Sequence, residues 1–195
     1  MKQKKNDVFT LTLTALFAAL MVAGTYIRIP LGPVPVVLTT LFVIASGAIL
    51  GPAGGTGAVF LYLVLGALGL PVFSQGGGLA LFAGPTGGFL IGYLAGAFTA
   101  GIIVKTGKSS RIRDLLGILA GTLIIYLPGL PWLSRALDFG LRRTLTVGFL
   151  PFLPGDLLKA LVVFLLLQRL RLSLPEFFAQ KGEKVPEVSP EEPAE

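Results

Sequence analysis

Six apolar runs, each sixteen to twenty residues long, constrain this chain more than any other feature of it. They cover residues 8–27, 35–50, 53–70, 86–104, 115–133 and 155–170. A helix needs about 20 mostly apolar residues to cross a bilayer, and each run is close to that length. The breaks between them are chemically marked: "RIPLGPVP" (28–35), "GPAGG" (51–55), "PVFSQGGG" (71–78), "GPTGG" (84–88) and the basic "KTGKSSRIR" (105–113). Pro128 and Pro131 are expected to kink or end the fifth run. A water-soluble domain carries roughly 25% charged residues; this chain carries 13%, too few to cover a surface that faces water. The expected fold is an all-α integral membrane protein of six transmembrane helices over residues 1–172. An acidic, Pro-containing tail, expected to be disordered, follows over 173–195.

Lys2, Lys4 and Lys5 precede the first run in the manner of a signal peptide. That run is longer than the usual signal core of about 7–15 residues and shows no A-x-A site, so it is read as a retained helix. With the N-terminus inside, eleven of the sixteen Lys and Arg residues fall in inside segments and four in outside loops, and Lys159 lies within a run. Both termini are therefore expected on the cytoplasmic side of a multi-pass protein of the cell membrane.

Composition also excludes. There is no Cys and no His, which removes disulfides, Cys/His metal or haem sites and Ser-His hydrolase chemistry. No enzyme activity, metal or cofactor is expected. The net charge of +6 does not call for nucleic acid, because the basic residues cluster where spans end. The partner that composition implies is the lipid bilayer.

Several segments carry more than hydrophobicity. Ala15, Ala19 and Ala23 stand at i, i+4, i+8, a spacing that admits a second helix at close range in lipid; the neighbour can be internal or another protein. Leu137, Leu141 and Leu145 repeat in the same way within 134–152, as a short helix at the outer surface or as a plain loop. In the loop 70–89, Gly76, Gly77 and Gly78 allow a ligand to approach the main chain. Gln75 offers a donor and an acceptor there, and Phe73 and Phe82 can form apolar walls. Pro85 can open the fourth helix, whose free amides near Thr86, Gly87 and Gly88 could hold a carboxylate. Those glycines can equally serve helix packing alone.

Asp156 and Lys159 interrupt the last run. They share a helix face at i and i+3, and Asp156 stands at the end where the helix dipole favours negative charge. They either neutralise each other or line a ligand path. Asp accepts and Lys donates, so the pair matches a cyclic urea, in which N–H adjoins C=O. The residues alone specify a small polar ligand bound from outside.

Four stretches taken in order, "IRIPLGPVPV" (27–36), "LYLVLGALGLPVF" (61–73), "GPTGGFLIGYL" (84–94) and "FLPGDLLKAL" (152–161), resemble the BioY family across about residues 10–170. This family comprises the biotin-specific substrate-binding (S) components of energy-coupling-factor (ECF) transporters. The resemblance implies a six-helix fold with an outward-facing biotin site. Its implied partners are a membrane-embedded coupling protein and a pair of cytoplasmic ATPases. Asp156 and Lys159 match the family's P-G-D-x-x-K, implied to contact the ureido ring, and Gly84 to Gly88 match its G-P-T-G-G. Gln75 lies in a loop implied to add a polar contact. The start of the fourth helix, or Arg28, would take the valerate carboxylate, and Phe73 and Phe82 the thioether ring. Ala15 and Ala19 match the A-x-x-x-A contact to the coupling protein. The chain departs from the family's V-T-L-Q-T, reading Val36-Val37-Leu38-Thr39-Thr40, which leaves the role of that helix start open. An S component for another small vitamin and a stand-alone secondary carrier are the alternative functions.

Overall fold

The structure, a computed structural model, describes residues 2–30, 33–105 and 110–180. The first apolar run is α1 (Lys2–Tyr26), which leads into a two-stranded antiparallel hairpin, β1 (Arg28–Ile29) and β2 (Val36–Val37). The second and third runs together form α2 (Thr39–Ala67). Gly51 breaks α2 with φ 78° and ψ 179°, a backbone region effectively reserved for glycine. Pro52 follows, its fixed φ and missing N–H suited to a first helical turn.

The break folds α2 back on itself. In a straight helix Gly47 and Gly55 would be about 12 Å apart; here a Cβ on Gly55 would lie 2.5 Å from the Gly47 Cα. Thr39 and Tyr62, from the two arms, both hydrogen-bond to Thr25 of α1, at 2.8 and 3.1 Å. α2 is thus a pair of antiparallel arms, packed against α1 on one side and α4 on the other.

A loop and the short α3 (Ala80–Ala83) lead to α4 (Gly87–Lys105), the central helix. Small residues bring it close to its neighbours: Gly47 abuts the backbone of Ala97, and Gly101 abuts the Gly51–Pro52 backbone. Packing in lipid rests on such close approach, since the hydrophobic effect does not favour helix–helix over helix–lipid contact. The fifth run is α5 (Arg111–Ile124) followed through Ile125 by α6 (Tyr126–Leu137). The break falls at Ile125, ahead of both prolines, and α6 runs on through Pro128 and Pro131, so they do not end the run. α7 (Leu141–Gly148) and α8 (Leu153–Ser173) meet at a 47° bend.

Among the described residues, four helical stretches are long and apolar enough to cross a membrane: Val8–Tyr26, Thr39–Ala67, Gly87–Lys105 and Arg111–Leu137. A fifth arises if α7 and α8 count as one bent span. Large apolar side chains point outward along the bundle, among them Phe60, Phe98, Leu116 and Leu165, as a hydrocarbon solvent permits. The interior is filled by Met21, Val43, Val59, Tyr62, Ile118, Leu133, Val163 and Leu167.

Two expectations need correction. The series Leu137, Leu141, Leu145 does not form one helix face. The chain turns at Asp138 in the left-handed conformation and splits the series between α6 and α7, leaving Leu141 76% exposed. The buried residues of α7 are Thr144 and Gly148 instead. Packing also continues past residue 172: α9 (Pro175–Gln180) sets Phe177 edge-on against Phe9 of α1 at 5.8 Å and buries Phe178. Residues 181–195 of the expected tail, with Lys181 and Lys184, lie outside the described residues, as does Lys108.

Candidate ligand-binding site

Where β2, α2, α4, α8 and the α5–α6 joint converge at one end of the bundle, they leave a recess of about 760 Å³, its open mouth included. Its middle is apolar, walled by Val34, Val37, Phe73, Leu81, Phe89 and Leu90, and its polar groups gather in three places.

The first is the deep wall. Asp156, in the first turn of α8, is 8% exposed. Lys159 reaches its Oδ1 at 3.1 Å and also donates to the Thr40 hydroxyl at 2.9 Å. The Tyr126 hydroxyl donates to Asp156 Oδ2. An ionised carboxylate has about four acceptor positions and an ammonium three protons. Two of each are engaged with these neighbours, so acceptor and donor capacity remains side by side on this wall. A smaller hollow adjoins the pair, lined by Thr40, Thr122, Asp156 and Lys159 among others.

The second is the hydroxyl cluster of Thr25, Thr39 and Tyr62, which ties α1 to both arms of α2. The third is the mouth, where Ser74, Gln75 and Thr86 line the opening. Phe73 and Gly76 exchange backbone hydrogen bonds of 2.9 and 3.0 Å around Ser74-Gln75, a tight turn that needs the positive φ of Gly76. Gln75 Nε2 bridges to the Pro33 carbonyl at 3.4 Å, linking this loop to the β-hairpin.

Of the residues expected from sequence, the structure brings Asp156, Lys159, Gln75, Thr86 and Phe73 to the recess wall. Phe82 stands behind Phe73, edge to face at 5.7 Å, and supports the wall without lining it. Gly84, Gly87 and Gly88 are not on the wall. The Gly84 carbonyl accepts from Trp132 Nε1 at 2.9 Å, and the Gly87 amide donates back to Gly84 at 3.0 Å. A Cβ on Gly87 would strike the Phe82 carbonyl, and one on Gly88 would lie 2.5 Å from the Pro128 carbonyl. These glycines let α4 start against α3 and α6. Arg28 is exposed on β1, beside Val37 of the wall but not part of it. Ala15, Ala19 and Ala23 are all exposed on α1, whereas Ala18 beside them is buried.

Sequence reasoning missed Tyr126, Tyr93, Tyr62, Thr25 and Thr122, all on the wall. A tyrosine or threonine in an apolar run carries no signal until the helix around it has neighbours. Thr39 and Thr40, the departure noted above, turn out to be a cluster member and the acceptor of Lys159. Far from the recess, Asp114 of α5 is fully buried, paired with Arg171 of α8 and accepting from Gln168 Nε2 at 2.8 Å.

The sequence model of the BioY family matches residues 1–176. The chain belongs to the BioY family. Family members similar to it include a biotin transporter BioY of Thermotoga maritima, 43% identical over 80% of this chain and 92% of that one. A probable biotin transporter BioY of Pyrococcus horikoshii is 40% identical over 82% of this chain and 94% of its own length. Among solved structures, the crystal structure of the S-component for biotin from an ECF-type ABC transporter superposes with a TM-score of 0.79. It is 33% identical and covers 86% of this chain and 93% of that chain.

Proposed function

We propose that this chain captures biotin at the outer face of the cell membrane, as the S component of an ATP-driven ECF transporter. The observation that carries the reading is the Asp156–Lys159 pair, set on the deep wall of a recess in a chain of the BioY family. The urea of biotin presents N–H donors next to a C=O acceptor, matching the free acceptor positions of Asp156 and the free proton of Lys159. The fused rings then lie against Phe73, Phe89 and Tyr93, and the valerate chain points to the mouth at Ser74, Gln75 and Thr86.

Counting the two arms of α2 separately gives six crossings, with both termini cytoplasmic by the distribution of Lys and Arg. The recess then opens outward. Ala15, Ala19 and Ala23, exposed on α1, provide the face for the membrane coupling protein, which joins the chain to a pair of ATPases. The mouth offers neutral donors, and the α4 glycines are occupied in packing, so Thr86 is the part of the α4 start that can reach the carboxylate.

Titration of purified protein with biotin tests this. Charge-assisted hydrogen bonds contribute about 1.5–3 kcal/mol each, so an Asp156→Asn, Lys159→Ala variant is expected to bind at least about 100-fold more weakly. Unchanged affinity would sink the residue assignment. Competition by other vitamins, and mass spectrometry of molecules released from the protein, check the ligand itself.

A further inference from the structure

We infer that Tyr126 is a positioning residue for ligand capture: it holds the second oxygen of the Asp156 carboxylate, so that the carboxylate paired with Lys159 keeps one orientation toward the recess. The inference rests on the biotin reading and deepens it. An Asp and a Lys paired at i and i+3 in an apolar wall, with no other partners, would be free to turn together about their side-chain torsions, and a ligand would have to order the pair to bind. Here each member of the pair also has a hydrogen bond to another helix. Tyr126 takes Asp156 Oδ2 from α6, and Thr40 takes Lys159 from α2. The carboxylate is thus fixed at both oxygens, since Lys159 holds Oδ1. Its orientation does not depend on α8 alone.

Tyr126 is built to hold that position. Its ring is gripped edge to face by Phe89 of α4, at 5.9 Å, and by Phe149 from the bend before α8, at 4.9 Å. It follows Ile125 at the α5–α6 joint, and Ile125 packs against Gly92 and Gly96 of α4. The hydroxyl is therefore placed by α4, α6 and the α7–α8 bend. A contact that is pre-formed spares the ligand the cost of ordering it.

The test is a double-variant cycle read by biotin titration. Tyr126→Phe keeps the ring and removes the hydroxyl; a hydrogen bond to a charged group implies a loss of about 10-fold to 100-fold in affinity. In an Asp156→Ala background, the same change is expected to shift affinity less than about two-fold, because the acceptor it positions is gone. Phe149→Leu, which loosens the grip and leaves the hydroxyl, should weaken binding in the wild-type background and be silent with Tyr126→Phe. An equal loss with Asp156 intact and in the Asp156→Ala background would mean that Tyr126 acts on the ligand or the fold directly, and would overturn the inference. So would wild-type affinity in Tyr126→Phe. If the parent protein bound no biotin, the biotin reading would fail; a binding parent with an unaffected cycle removes only the role of Tyr126.

Discussion

Lys159 is held between Asp156 and Thr40, so its ammonium depends on a hydroxyl that the sequence offers as one more threonine at a helix start. Thr40→Val removes that acceptor at nearly constant volume. Biotin affinity is expected to fall about ten-fold, as for a hydrogen bond to a charged group, with little change in thermal stability of the ligand-free protein. Titration calorimetry and a melting curve in the same detergent check the two halves. At this scale the charged residues were legible and the hydroxyls were not. Asp156 and Lys159 stand out because a charge in an apolar run demands a reason. Tyr126, Tyr93 and Thr25 demand none, since their hydroxyls acquire meaning only when α2, α4 and α6 meet. Gly87 and Gly88 left two readings open. A glycine at a helix start suits an anion as well as a close neighbour, and here Phe82, Pro128 and Trp132 occupy the space.

Helix breaks were easier to read than helix contacts. Gly51-Pro52 announces a turn by chemistry alone, and α4 and α8 begin within two residues of the ends of their apolar runs. What sequence could not supply was which small residues face which neighbour. Gly47 is the clearest case: any Cβ there meets the Ala97 backbone of α4. Gly47→Ala should therefore push the first arm of α2 off the central helix, at a cost of about 1–3 kcal/mol. Gly140→Ala, whose added methyl meets nothing within 4 Å, should leave stability within about 0.5 kcal/mol. Equal melting temperatures for the two variants would contradict the packing assigned to α2 and α4.

For the whole molecule, the absence of native cysteine makes topology directly measurable. A Leu141→Cys variant, with its thiol at an exposed position on α7, should react with a membrane-impermeant thiol reagent on intact cells. A Lys105→Cys variant, altered at the exposed last residue of α4, should react only after permeabilisation. Replacing Ala15, Ala19 and Ala23 together by Leu should leave biotin binding within about two-fold, since none lines the recess. The same variant should abolish ATP-driven uptake and co-purification with the coupling protein, which separates capture from transport. One further consequence follows from α8, which carries Asp156 near one end and Arg171 near the other. Fifteen residues of helix make a rod of about 22 Å, anchored by its charges to α6 and α2 at the recess and to α5 at the far end. Such a rod is a lever: a tilt of about 5° at the urea would arrive at the far end as a shift of about 2 Å. A change at the recess would thereby be legible as displacement at the opposite end of α8.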